Sequence, residues 1–281
     1  QCLIFFYNFT DDIFTHITSL EIIGSKLLVY DNLISVIGKL EDNLCLVEYN
    51  LNTLNAQIKT FDITFSQIKL FSIYKEGYLL FINSGNSLKI LYVTITSREP
   101  LYENANMYID EFVITNNGVF AIIKNTTGAK LLFLDFEFKE QKQLSLPNYS
   151  GYKISEVNNN IYLICQNSNN TFNIMLFSAF GDLVLNVPVN YPVSSLIFAR
   201  VFNEQLHLFY FDDNNLNILV LNTYFSTVKE INLPFNNKNY LLECELNTNG
   251  TLMLFGTYAI NTTLTTSNFG LFDIFAVNLS I

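Results

Sequence analysis

The residues best suited to chemistry are three pairs of adjacent acids, Asp11-Asp12, Asp110-Glu111 and Asp212-Asp213. Two carboxyl groups set across a bond can divide general acid and base duty, as in glycoside hydrolysis. The first two pairs fall in predicted connections ahead of strand-like segments, so Asp11, Asp12, Asp110 and Glu111 are the acids to examine for a carbohydrate site. Neighbouring acids in turns are more often solvated caps or Asx turns. Asp212-Asp213-Asn214-Asn215 lacks the spaced oxygen ligands of a tight calcium loop and reads as a plain turn. The two histidines, His16 and His207, stand apart, and His207 falls in a strand column otherwise filled by Lys26, Leu79, Phe120, Tyr162 and Leu252. That column reads as structural. No CxxC, HxH or HExxH spacing occurs, nor a GxSxG elbow, a GxGxxG or a Walker sequence. The sequence nominates no catalytic residue, no metal ligand and no cofactor.

Cysteines and sequons bear on compartment. Strands about 4.8 Å apart put the inner and outer strands of a four-stranded sheet about 14 Å from each other, beyond the roughly 7 Å Cα limit for a disulfide. Cys45, Cys165 and Cys244 are therefore expected to be buried and reduced. Cys2, near the start, is the candidate for a bridge. Asn-X-Ser/Thr occurs at Asn8, Asn125, Asn148, Asn169, Asn249, Asn261 and Asn278. With Asn near 13% of the chain, chance alone yields roughly five such sites, so position carries more weight than number. Asn125, Asn148, Asn169, Asn249 and Asn261 fall in predicted turns, where a glycan costs no packing.

The elements that must carry these residues are strands. The 281 residues are half hydrophobic and 15% aromatic, with 14% charged and no Trp, which excludes disorder. Short runs recur: Lys26 to Tyr30, Tyr78 to Ile82, Val119 to Ile123, Ile161 to Cys165, Leu206 to Tyr210 and Leu252 to Phe255. They are too short for helices and rich in β-branched and aromatic residues. Each follows a Gly, Asn or polar turn that tolerates positive φ. Taking Gly24, Gly77, Gly118, Asn160, Gln205 and Gly250 as equivalent gives spacings of roughly 53, 41, 42, 45 and 45, and so six repeats of four strands. The sixth ends one strand short, while Leu3 to Phe9 is an orphan strand at the other end.

This pattern resembles the β-propeller superfamily in general and no specific family within it. The resemblance implies an all-β, six-bladed β-propeller over 1–281 as a single domain, closed by the N-terminal strand completing the last blade. A pair of β-sandwiches is the alternative, although a sandwich gives no reason for a repeat near 43. The long first spacing places an apolar excess, Leu33 to Leu40, in a hairpin of the first blade. It is either a β extension packed on a neighbouring blade or a partner-binding patch with Leu33, Ile34, Val36 and Ile37 as contacts.

A formal charge of -10 makes phosphate backbones and anionic lipid surfaces poor partners. No window of about eighteen uncharged apolar residues suggests a transmembrane segment. The start at Gln1 fits either a mature secreted chain or a fragment. The expectation is a secreted or cell-surface glycoprotein, non-enzymatic, that acts as an interaction or structural module for a protein partner or in self-assembly. The alternative is a carbohydrate-active enzyme or lectin working at the channel mouth.

Overall fold

Two-residue turns that accept positive φ, set between apolar runs, fold this chain into antiparallel hairpins. The structure is a computed structural model and describes residues 2–8, 13–20, 22–167, 171–189, 195–202, 204–212, 215–222, 224–234, 241–246, 251–258 and 271–278. β1 (Cys2–Asn8) and β2 (Ile13–Leu20) form a two-stranded sheet. Five four-stranded sheets follow in chain order. The first holds β3 (Ile23–Tyr30), β4 (Leu33–Leu40), β5 (Asn43–Asn50) and β6 (Asn55–Phe61), and the second β7 (Gln67–Tyr74), β8 (Gly77–Ser84), β9 (Ser87–Val93) and β10 (Arg98–Asn104). The third is built of β11 (Tyr108–Thr115), β12 (Gly118–Asn125), β13 (Gly128–Leu134) and β14 (Glu140–Leu146). The fourth contains β15 (Gly151–Val157), β16 (Asn160–Gln166), β17 (Phe172–Phe177) and β18 (Leu183–Val189). The fifth contains β19 (Ser195–Phe202), β20 (Gln205–Asp212), β21 (Asn215–Leu221) and β22 (Thr227–Pro234). A three-stranded sheet of β23 (Leu241–Leu246), β24 (Thr251–Tyr258) and β25 (Leu271–Asn278) comes last. In every sheet the strands pair with their chain neighbours, so the fold is all-β with a repeated four-stranded antiparallel unit, consistent with a β-propeller.

The tight turns match their sequence. Asn158 and Asn159 both have positive φ, at 52° and 62°, the pattern of a type I′ hairpin between β15 and β16. Asp31, Glu41 and Lys75 supply single left-handed residues to the β3–β4, β4–β5 and β7–β8 turns.

A wider turn joins the third and fourth strands of three successive sheets in one geometry. It starts at Asp135, Ser178 and Asn222, and the side-chain oxygen of each accepts the backbone N–H groups two and four residues later, at 2.8–3.3 Å. The residue three places on is left-handed in each case: Phe138, Gly181 and Phe225. Phe138 and Phe225 turn their rings inward, Phe138 onto Phe81 and Phe225 onto Tyr162, each edge-on. Where Gly181 stands instead, a Cβ would already meet Lys142 and the stacked rings of Phe120 and Phe133 at 3.4–3.8 Å.

The chain divides into two compact units, one of Gln1–Asp110 with Ile123–Lys130 and Leu134–Glu140, the other of Glu111–Ile122, Leu131–Phe133 and Gln141–Ile281. In the first, Ile37, Leu44 and Leu46 pack against Ile68, Leu80, Ile82 and Leu91 of the second sheet. The opposite face of the first sheet buries Ile34, Val36, Cys45, Val47 and Tyr49 in its own cluster. In the other unit, Ile164, Phe172 and Ile174 meet Leu206, Leu208, Leu219 and Leu221.

Two expectations need correction. Leu33 to Leu40 is not an insertion: it is β4, the second strand of its sheet, paired along its length with β3 and β5. Its apolar run reflects burial on both faces, which erases the period-two alternation that marks a half-exposed strand. With Leu33 as the repeat origin, the distance to Gly77 is 44 residues and the long first spacing disappears. The N-terminal strand is not an orphan either. It pairs with β2 from Cys2↔Leu20 to Asn8↔Ile13, with a bulge at Ile4/Phe5, and β25 pairs with β24.

Candidate functional site

Asp110 and Glu111 lie on β11 itself, ahead of no connection. Successive strand residues point to opposite faces, so the two carboxyls cannot converge on one bond. Each carboxylate has its own cation: Asp110 pairs with Lys124, and Glu111 Oε1 with Lys153 Nζ at 2.5 Å. The Asp110 carbonyl oxygen also accepts a hydrogen bond from Lys69 Nζ at 2.9 Å. These are ion pairs in half-buried positions, Asp110 to β12 within its sheet and Glu111 to β15 of the next sheet, and the two carboxylates do not face each other as an acid dyad. Asp11, Asp12 and Asp213 lie outside the described residues. Among the described residues, no group of three or more His, Cys, Asp or Glu side chains comes together.

His207 is fully buried on β20, its Nδ1 against the Gln205 carbonyl oxygen at 3.0 Å, and burial pulls its pKa below the ordinary imidazole value. Cys45 and Cys165 are buried free thiols. Burial raises both, Cys165 up to about 12, which makes them poor nucleophiles. The side chains of His16, Cys2 and Cys244 fall outside the described set. Of the sequon residues, Asn148 is exposed in the β14–β15 loop. Asn125 ends β12 and its Oδ1 accepts from Thr127 N, Thr127 Oγ1 and Gly128 N. Asn8 and Asn278 close β1 and β25, and Asn169, Asn249 and Asn261 lie outside the described residues.

The four expected contact residues separate sharply. Ile34, Val36 and Ile37 are almost fully buried core, so a partner cannot reach them. Leu33 alone lines open space, a cleft of about 220 Å³ between β3–β4 and β7–β8. Leu28, Tyr30 and Ile73 form its apolar wall, and Ser35, Glu48 and Tyr78 its polar floor. On the floor, Tyr78 OH donates to Glu48 Oε1 at 2.7 Å and shares a 2.6 Å hydrogen bond with Ser35 Oγ. Burial, reinforced by the bond to Glu48, pushes the Tyr78 phenol up to about 12. At neutral pH it is thus a proton donor and not a base, so it does not activate Ser35 as a nucleophile. The floor is a fixed polar anchor under an apolar rim.

At the rim, Tyr30 on β3 is 58% exposed and Ile73 on β7 is 45% exposed. Leu27 and Val29, also exposed, alternate to the other face of β3, opposite Val36 and Ile34. Sequence reasoning missed this surface because it took Lys26 to Tyr30 for an interior second strand, whereas β3 is the open edge of its sheet. A larger groove of about 400 Å³ along β9 and β10 is polar instead: Lys89 pairs with Glu103 at 3.2 Å and Arg98 donates to the Asp62 carbonyl.

No protein-family model and no curated protein matches the chain. Solved structures do resemble it. A structure from a study of two prolyl endopeptidases aligns over 98% of this chain and 46% of that one, at 11% identity and a TM-score of 0.64. A protein from Lactobacillus plantarum aligns over 89% of this chain and 84% of its own, at 10% identity and a TM-score of 0.59. A luciferin-regenerating enzyme aligns over 84% of each chain, at 13% identity and a TM-score of 0.50. The chain thus spans about half the length of the prolyl endopeptidase. At such identities the likeness concerns fold: neighbours include propeller-like proteins, and no specific family is singled out. Among the described residues, no helix is long and apolar enough to cross a membrane.

Proposed function

We propose that this chain is a secreted or cell-surface, non-enzymatic β-propeller glycoprotein that binds a protein partner through the apolar rim of β3 and β7. The observation that carries the reading is exposed Tyr30 and Ile73, with Leu28 and Leu33, around a cleft whose floor is polar and hydrogen-bonded. Exposed apolar surface of this kind marks interaction sites. The carbohydrate reading has lost Asp110 and Glu111 as a pair, and with them its best-placed acids. In this proposal residues 1–281 make one domain of six blades, with the three-stranded β23–β25 sheet completed by the N-terminal hairpin. Ring closure removes the raw sheet edges at both chain ends. A Tyr30→Lys/Ile73→Lys variant tests the binding surface. It is expected to keep the wild-type thermal midpoint and lose partner retention, and unchanged retention would discard this surface.

A further inference from the structure

Leu28, Ser35 and Glu48 are register partners across β3, β4 and β5, so their side chains share one face of the first sheet, and Tyr30 falls on that face two residues on. Tyr78 and its β7 partner Ile73 line the same cleft from the second sheet. The Tyr78 hydroxyl has one proton and commits it to Glu48 Oε1 at 2.7 Å, so Ser35 Oγ is the donor in the 2.6 Å bond to Tyr78. The hydrogen-bond chain therefore runs from Ser35 through Tyr78 to the carboxylate and ends there. Among the described residues, no donor reaches the other carboxylate oxygen, Glu48 Oε2. The lysine that lines the cleft, Lys75, holds its Nζ over the Tyr74 ring at 5.1 Å and makes no ion pair with Glu48.

We infer that the cleft takes a lysine side chain of the protein partner, its ammonium on Glu48 and its alkyl stem along Leu28, Tyr30 and Ile73; this rests on the cleft being the partner site proposed above. A floor that ends in an acceptor calls for a donor. The sign of the donor follows from charge: Glu48 and Glu76 face a single lysine in the cleft, and a chain of net charge -10 draws a cation toward it. Glu48 is half-buried, where a charge-assisted hydrogen bond is stronger than in open water. The choice between the two basic side chains follows from the floor. With Oε1 engaged by Tyr78, one carboxylate oxygen is left, which suits the compact ammonium of lysine, whereas the guanidinium fork is matched to two. The lysine stem is apolar and packs along apolar walls while its head reaches a polar end. A cleft of about 220 Å³ has room for one such side chain and for no folded element.

The test titrates the full chain with three blocked tripeptides, acetyl-Gly-X-Gly-amide with X lysine, norleucine or arginine, and follows the amide chemical shifts of Leu28, Glu48 and Tyr78. Norleucine keeps the alkyl stem and lacks the ammonium. The lysine peptide is expected to bind at least about tenfold more tightly than the norleucine peptide, as the loss of a hydrogen bond between charged groups implies, and more tightly than the arginine peptide. Glu48→Gln keeps an acceptor for Tyr78 and removes the charge; it is expected to weaken the lysine peptide at least about tenfold and to leave the norleucine peptide unchanged. Equal binding of lysine and norleucine peptides, or a Glu48→Gln protein that binds lysine like wild type, overturns the inference and leaves the apolar partner surface standing. Arginine binding as tightly as lysine overturns the assignment to lysine. If none of the peptides shifts these amides, the cleft is no partner site, and the inference falls together with the reading it rests on. The comparison of lysine with norleucine uses the wild type alone, so it decides the matter even if Glu48→Gln does not fold.

Discussion

Tyr78 concentrates the energetics of the cleft in one hydroxyl. Buried beside Ser35 and Glu48, it satisfies both, and removing it leaves two polar groups with a lost partner. Tyr78→Phe is expected to cost about 1–3 kcal/mol in urea denaturation, while Tyr74→Phe, whose ring packs on Tyr92 and Phe138, costs less. His207 acts through protonation. Its folded pKa lies below its unfolded value, so the native state is not penalised above pH about 6.5 and loses stability as pH falls below that point. The thermal midpoint of the wild type should drop more between pH 7.5 and pH 5 than that of His207→Leu; equal drops would remove His207 as the cause. At this scale the sequence was readable where a strand column could be compared, as for His207. It was misleading for Asp110-Glu111, because placing that pair in a connection concealed the alternation that sends the two carboxyls apart.

Strands were legible as short apolar runs bounded by Gly, Asn or polar turns, even where both faces are buried, as in β8 and β12. In the fourth and fifth sheets, the expected runs Ile161 to Cys165 and Leu206 to Tyr210 match β16 and β20 to within two residues at each end, because Asn-rich turns bound them on both sides. β4 was misread because Lys26 to Tyr30, which lies on β3, was set in the column of the second strands, and that single error shifted the strand count of the first sheet by one. The Asp135, Ser178 and Asn222 turns were also missed. Their shared property is a side-chain acceptor followed three residues later by a left-handed residue, and Asp, Ser and Asn do not look alike as letters. The hydrogen bonds predict their own cost: Asn222→Ala removes the acceptor for Tyr224 N and Ser226 N and should destabilise the fifth sheet by about 1–2 kcal/mol, as an N-cap loss does. Hydrogen exchange of β21 and β22 amides checks it; unaltered protection would show that Phe225, buried at positive φ, holds the turn by packing alone.

Taken whole, the chain is a succession of sheets packed face on face within each unit, and its repeat of about 43 residues is the property most plainly written in the sequence. What the sequence could not convey is which edges stay open, since exposure depends on the neighbours a strand acquires. Ring closure is testable at this scale. Deleting residues 1–21 should strip hydrogen-exchange protection from β25 while leaving β12 and β16 protected, if the N-terminal hairpin completes the last sheet; undiminished β25 protection contradicts closure. The compartment is the premise on which partner, glycan and surface all rest. The most direct measurement is the intact mass of the protein from its native source before and after enzymatic removal of N-glycans, with peptide mapping. A mass loss and glycan at Asn148, which stands exposed in the β14–β15 loop, are expected of a secreted or cell-surface glycoprotein, and an unchanged mass with Asn148 bare would contradict that proposal.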